Sequence, residues 1–184
     1  MRALTLRGAA RLPAAGARER ETLMARVAIA REAPGWRAVA RAEAVVRTAA
    51  DAALKGAGVA VRRDAEISVL LTDDAAIRDL NLRWRGKDKA TNVLSFPAAA
   101  PADLAAARAL GDIVVALETV LAEARDEGKT PADHLAHLIV HGVLHLVGYD
   151  HEDDDEANEM EALETRILAD LSIADPYAVG EAAS

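Results

Sequence analysis

Histidine carries the clearest chemical signal in this sequence. All five histidines of the 184-residue chain lie between residues 134 and 151. Four of them recur every three or four residues, a spacing that places their side chains on one face of an α-helix: His134, His137, His141 and His145. One histidine on a half-buried helix face usually packs and hydrogen-bonds within the core. Four at helical spacing instead predict a shared chemical task.

A metal site is the task that this spacing predicts. His141 and His145 are one helical turn apart, so both imidazoles can bind one cation. The third ligand must come from elsewhere, because two turns of helix separate His137 from His145 by about 12 Å. Gly148 is suited to end the helix, and the turn after it can bring His151 to the same ion. Three neutral imidazoles would leave a coordination position open for water.

The segment HGVLHLVGYDH, residues 141–151, keeps the HxxxHxxGxxH skeleton of the metzincin zinc enzymes. In those enzymes a glutamate directly follows the first histidine and acts as general base on the metal-bound water. Gly142 occupies that position here, so peptide hydrolysis by that route lacks its base. A glycine inside a helix costs about 1 kcal/mol relative to alanine, and we expect another group to approach the backbone closely there.

Three other polar residues of this region each allow two interpretations. His134 and His137 are either polar residues at the entrance of the helix or groups that support the metal site or face a substrate. Asp150 either fixes the turn before His151 or orients one of the imidazole ligands.

Basic residues alternate through LRWRGKDKATNV, a segment upstream of the histidines. Basic side chains are favourable at a helix C-terminus, so these residues could simply be a solvated helix end without a further function. Beside a metal they suit a phosphodiester, because arginine holds phosphate oxygens and stabilises the charge of the transition state. We therefore choose Arg85 as catalytic residue and expect Arg83, Lys87 and Lys89 to bind nucleic acid. Aromatic residues are only 3% of the chain, which favours recognition of backbone charge and shape over base stacking.

The composition excludes several classes of protein. The length suits one domain of ordinary size. The chain has no cysteine, which excludes disulfides, cysteine-bound zinc and thiol nucleophiles and fits a reducing cytoplasm. No stretch of 18 residues is both apolar and uncharged, so we expect no membrane span. The net charge is −8, and the negative charge is concentrated in residues 150–184, which contain twelve acidic residues and one basic residue.

Hydrophobic periodicity and turn signals predict the elements that position these residues. The predicted strands are residues 26–31, 66–71, 91–96 and 111–117, and the predicted helices are 36–54, 73–85, 118–127, 131–147 and 153–171. This order indicates an α/β or α+β sandwich. We choose an α+β, zincin-like fold with a single small mixed sheet of about four strands packed with about five helices. Residues 1–23 are expected to be a disordered extension, with an arginine-rich targeting segment as the alternative, and 24–184 to be a single domain.

Four segments together resemble the YbeY family of bacterial rRNA maturation factors, which are metal-dependent endoribonucleases. The segments are RGKDKATNVLSFP at 85–97, LGDIVV at 110–115, HGVLHLVGYDH at 141–151 and the acidic EDDDEANEMEALE at 152–164. The resemblance implies that His141, His145 and His151 bind Zn²⁺ or a similar divalent ion and that Arg85 acts at the scissile phosphate. It also implies a role in 16S rRNA 3′-end maturation and ribosome quality control. The implied partners are the small ribosomal subunit, a small-subunit ribosomal protein and an Era-type GTPase.

We expect single-strand-specific RNA cleavage, with two other functions still open. A metallopeptidase is favoured by the histidine skeleton and opposed by Gly142. A noncatalytic ribosome assembly factor would use the metal only to hold the last two helices together. For RNA cleavage the sequence leaves two routes open, in which either a metal-activated water or the substrate's own 2′-OH attacks the phosphorus. The acidic last helix is either a solvated face or a surface that repels RNA or meets a basic protein.

Overall fold

The computed structural model describes residues 25–150 and 154–178. The predicted extension at 1–23 and the predicted ligand His151 lie outside the described residues, so these two assignments stay predictions. Within the described ranges, the strands are β1 (Arg26–Arg31), β2 (Glu66–Thr72), β3 (Val93–Pro97) and β4 (Ala109–Ala116). The α-helices there are α1 (Ala42–Ala57), α2 (Asp74–Arg85), α3 (Leu117–Asp126), α4 (Pro131–Leu146) and α5 (Asp154–Asp170). None of these helices has both the length and the apolar character needed to cross a bilayer.

The four strands form one mixed sheet in the order β1-β2-β4-β3. β1 and β2 are parallel, β2 and β4 are parallel, and β3 runs antiparallel to β4 at the edge of the sheet. The predicted α+β fold with a small mixed sheet and five helices is therefore confirmed.

The side chains of β4 alternate between two hydrophobic layers, as expected of a strand covered on both faces. Ile113 and Val115 belong to the larger core, which α1, α4 and α5 complete. Val114 and Ala116 point to the opposite face and pack with Ile77 of α2. Because α2 lies over β3 and β4, the same face of β1 stays open and Ala28 and Ala30 are exposed.

The first helix begins six residues later than the periodicity predicts. Residues 34–38 form a 3₁₀ turn instead, because Trp36 is fully buried and its Nε1 donates a hydrogen bond of 2.8 Å to the carbonyl of Thr72. Arg41 then caps α1 in the left-handed conformation, with φ of 54°. The helix continues past the predicted end at residue 54 and ends at Ala57, with Gly58 as its C-cap.

Both ends of α4 lie within one residue of the predicted bounds, 131 and 147. At the N-terminus, the Thr130 hydroxyl accepts a hydrogen bond of 3.1 Å from the backbone N–H of Asp133. At the C-terminus, Gly148 donates to the carbonyl of His145 at 3.2 Å and Tyr149 donates to that of Leu144 at 3.0 Å. These two bonds form a Schellman motif, with Gly148 in its positive-φ position at 100°. The chain therefore reverses three residues after His145.

Gly148→Ala should destabilise the protein more than Gly58→Ala. Both glycines have positive φ, but a Cβ at Gly148 would lie 2.5 Å from Cγ of Pro101, whereas Gly58 has open space around it. We expect a loss of about 1 kcal/mol for Gly58→Ala, from backbone strain alone, and about 2 to 3 kcal/mol for Gly148→Ala. Urea unfolding of the two variants measures the difference, and equal losses would show that the Pro101 contact does not constrain the turn.

Candidate active site

His141 and His145 present their Nε2 atoms to each other on the last two turns of α4. The two Nε2 atoms are 3.1 Å apart, and the rings are nearly perpendicular, at 81°. On the opposite side of each ring, Nδ1 of His141 lies 2.8 Å from Oε1 of Glu164, and Nδ1 of His145 lies 3.0 Å from the carbonyl oxygen of Tyr149. Each imidazole is thus held by its Nδ1 atom.

These contacts fix which ring nitrogen carries the proton. Carboxylate and carbonyl oxygens only accept, so Nδ1 of each histidine donates and Nε2 of the neutral ring carries the lone pair. Two lone pairs directed to one place fit a divalent ion, since a tetrahedral zinc site sets its nitrogen ligands about 3.3 Å apart. The chemistry of His141 and His145 therefore suits a metal.

Glu164 of α5 is the residue of this site that the sequence interpretation missed. It is completely buried. Its carboxylate accepts hydrogen bonds from Nδ1 of His141, from Nε2 of His137 at 3.1 Å, and from the hydroxyl of Tyr177. Burial raises the pKa of Glu164, but the hydrogen bonds from the two histidines outweigh it and lower the pKa to about 2. Partial burial of the Tyr177 hydroxyl and its hydrogen bond to the Glu164 carboxylate raise the pKa of Tyr177.

A signal for Glu164 was present in the sequence. The apolar residues Met160, Leu163 and Ile167 recur at helical spacing in the sequence, and all three are buried. Glu164 lies four residues after Met160 and shares its face. The many acidic residues around it suggested one solvated surface, which is correct for the exposed first turn of α5 and wrong for Glu164.

The two remaining histidines of α4 have different partners. His137 contacts Glu164, so it supports the site through that carboxylate. His134 is buried, and its Nε2 lies 2.8 Å from Oε2 of Glu123. The same oxygen accepts a hydrogen bond of 2.9 Å from Nδ2 of Asn92. His134 therefore joins α4 to α3 and to the start of β3, away from the His141 and His145 pair.

Arg85 and the two convergent histidines line one cavity of about 550 Å³. Arg85 is the last residue of α2, and Gly86 ends the helix in the left-handed conformation, with φ of 67°. Asp150 also lines the cavity. Of the four basic residues selected from the sequence, Arg85 alone is among the described residues that line it. The other three are exposed on the same segment: Arg83, Lys87 and Lys89.

The segment after Arg85 is held by two side chains of α2. Arg78 forms an ion pair with Asp88, with 2.7 Å between Nε and Oδ1. Nδ2 of Asn81 donates a hydrogen bond of 2.8 Å to the carbonyl oxygen of Lys89. The exposed Arg78 pair adds little stability by itself. Together with the Asn81 bond it fixes the course of the backbone that presents the cationic side chains.

Gly142 lies where α4 comes closest to the sheet. A Cβ built on it would be 3.0 Å from Cδ1 of Ile113 and 3.1 Å from Oγ of Ser95. The expected close approach at this glycine is thus made by β3 and β4. Any side chain at this position would require Ile113 and Ser95 to shift by a few tenths of an ångström, so the packing disfavours a glutamate in the place of the metzincin general base.

The fold and the cavity define a class of protein: an α+β domain in which α4 directs two imidazoles at one point and an arginine from the end of α2 lines the same cavity. The model of the family described as Endoribonuclease YbeY matches residues 35–172, and the chain belongs to this family. The resemblance found in the sequence is confirmed.

Known relatives extend over most of the chain. The protein named Endoribonuclease YbeY of Azorhizobium caulinodans is 59% identical over 148 residues, covering 80% of this chain and 93% of its own length. Its namesake from Nitrobacter hamburgensis is 55% identical over 150 residues, covering 79% and 78%. A solution structure of a Thermotoga maritima protein matches with a TM-score of 0.55 at 29% identity, covering 79% of this chain and 88% of that one.

Glu164→Gln should destabilise the metal-free protein by about 1 to 3 kcal/mol. Glutamine has one acceptor oxygen and an NH₂ group, so at least one of the donors on His137, His141 and Tyr177 would lose its acceptor. Urea unfolding in the presence of a chelator measures the loss. Glu161→Gln, at an exposed position of the same helix, is the matched control. An equal cost for the two variants would contradict the role assigned to Glu164.

Proposed function

We propose that this endoribonuclease cleaves single-stranded RNA in the cavity shared by His141, His145 and Arg85. The observation that carries the proposal is that two separate motifs, one from the end of α2 and one from α4, line the same cavity. A cation site and a guanidinium facing one space suit a phosphodiester, which has negative oxygens to bind and gains charge in the transition state.

A divalent ion, Zn²⁺ in our proposal, would be held by His141 and His145, with His151 as the third ligand. The support lies in the 3.1 Å separation of the two Nε2 atoms and in the Nδ1 partners that set both tautomers. When bound, such an ion supplies Lewis acidity and lowers the pKa of a bound water to about 7. Glu164 keeps the proton on Nδ1 of His141, so Nε2 stays available as a ligand atom.

Arg85 binds the scissile phosphate in this proposal. Its guanidinium can donate two parallel hydrogen bonds to the nonbridging oxygens, which orients the phosphate and stabilises its developing charge. The exposed Arg83, Lys87 and Lys89, on the segment around Arg85, then attract the RNA backbone, and that attraction weakens with salt.

The substrate in our proposal is the 16S rRNA precursor, cleaved during 3′-end maturation and ribosome quality control in the cytoplasm. We also propose the small ribosomal subunit, one of its proteins and an Era-type GTPase as partners. The support is the family resemblance and, for a basic partner, the exposed first turn of α5, which contains Asp154, Asp155 and Glu156.

Arg85→Ala should lower kcat for RNA cleavage by about 100-fold or more, because one donor to transition-state charge is lost. Zinc content and the urea midpoint should stay unchanged, since Arg85 is exposed. Arg83→Ala, on the same helix but outside the cavity, should keep kcat and weaken binding only slightly. Normal rRNA processing in cells that carry Arg85→Ala, with normal zinc content and stability of the variant, would contradict cleavage at this site and favour a noncatalytic assembly factor.

His145→Ala, or treatment of the native chain with a chelator, should abolish cleavage of a 16S rRNA precursor. The reason is that the ion loses one of its two described ligands or is removed. The assay needs protein purified without a histidine tag, with zinc measured by elemental analysis. Restoration of cleavage by added Zn²⁺ in the chelated native chain, but not in His145→Ala, is the expected pattern. Metal-dependent casein turnover with RNA left intact would instead indicate a peptidase.

A further inference from the structure

Trp84 is a large apolar side chain that α2 leaves in solvent. The periodicity from Ile77 and Leu80 predicts that it faces inward, yet it is 66% exposed, while Ile77 is fully buried. Its ring contacts Phe96 edge-on, with the centroids 6.1 Å apart and the planes at 62°. An exposed indole held in one orientation by a neighbouring ring is arranged to stack on a flat ligand.

The indole lies on a second cavity, a groove of about 900 Å³ on the open face of the sheet. The groove is mostly apolar, with Leu70, Leu80, Phe96 and Val114 among its lining residues. Its shape and its aromatic wall suit an unpaired base. Asp112 also lines the groove, and its carboxylate can accept hydrogen bonds from base amino groups.

This groove and the cavity of the histidine pair meet at the edge of the sheet, on either side of β3. Ser95 and Pro97 of the edge strand β3 line both spaces. The end of α2 spans the same edge, since Trp84 lines the groove and the next residue, Arg85, lines the histidine cavity. A ligand whose phosphate contacts Arg85 can therefore place its neighbouring group against Trp84.

We propose that Trp84 and the groove bind an unpaired nucleobase next to the scissile phosphate of single-stranded RNA. The inference rests on the proposed function and adds the reason for strand specificity: a base paired in a duplex cannot turn out to stack on the indole. Arg83 and Arg85 flank Trp84 in the sequence. The end of α2 therefore carries both the positive charge that attracts the RNA backbone and the ring on which a base can stack. The proposal departs from the expectation, drawn from the low aromatic content, that recognition depends mainly on backbone charge and shape.

The fluorescence of the native chain allows a direct test, because it contains two tryptophans and Trp36 is fully buried. The zinc-loaded full-length chain is titrated with a single-stranded oligonucleotide made of 2′-O-methyl RNA. We expect quenching that saturates with binding. Trp84→Phe should abolish the quenching and keep the affinity within about 3-fold, because phenylalanine retains a face for stacking.

Trp84→Ala and Trp84→Leu should each weaken binding on the order of 10-fold, since neither has an aromatic face. Leu82→Ala is the matched control, because Leu82 is 48% exposed on the same helix and lines neither cavity. In a series of oligonucleotides, a single abasic nucleotide is placed at each position in turn. At one position we expect the affinity of the native chain to fall by the same factor of about 10, with no further loss of affinity for Trp84→Ala.

Two results would overturn the inference, and they are distinguishable from failure of the proposed function. If Trp84→Ala binds RNA like the native chain, or if Trp84→Leu restores affinity as well as Trp84→Phe does, no base stacks on the indole. The groove would then serve an apolar protein surface instead. Cleavage of the 16S precursor by the native chain is measured in parallel. Cleavage with unchanged binding by Trp84→Ala overturns this inference alone, whereas absence of both cleavage and binding overturns the proposed function as well.

Discussion

The hydrogen bond from Nδ1 of His141 to the buried carboxylate of Glu164 is the interaction on which the site depends. It joins α4 to α5, fixes the tautomer of the imidazole and directs Nε2 toward His145. A buried charge is costly unless it is fully hydrogen-bonded. Glu164 meets that condition through three donors, so the carboxylate is stable only when the histidines are in place, and the histidines are oriented only when the carboxylate is present.

The backbone supplies the corresponding restraint on His145. Its Nδ1 contacts the carbonyl of Tyr149, which is brought there by the reversal at Gly148. Gly148, which ends α4, and Gly142, which lets α4 lie against the sheet, thus both help to position the two imidazoles. Gly142 brings the helix close to β3, and β3 is the strand that separates the histidine cavity from the groove under Trp84.

The parts of the structure that depend on local chemistry could be predicted from the sequence. The N-cap at Thr130, the turn at Gly148 and the convergence of His141 with His145 all follow from spacing within a few residues. The fold class followed from the order of elements and from the family resemblance. The meeting of Arg85 with the histidines was expected from chemistry and resemblance, and the structure shows them in one cavity.

The features that depend on tertiary packing could not be predicted from the sequence. Glu164 shares the apolar face of α5 with Met160, but its role as acceptor for His137 and His141 depends on the packing of α5 against α4. Trp84 follows a helical apolar period, but α2 covers too little of the sheet to bury its last turn. The late start of α1 depends on the bond between Trp36 and Thr72, which are 36 residues apart and meet only in the folded chain.

Crystals of the untagged protein grown with zinc, with diffraction measured on both sides of the zinc absorption edge, test the central claim most directly. Our account predicts one anomalous peak about 2.0 to 2.1 Å from Nε2 of both His141 and His145, with Nδ1 of His141 still hydrogen-bonded to Glu164. A zinc ion bound through Nδ1, or a protein with full zinc content and no peak beside this pair, would contradict it.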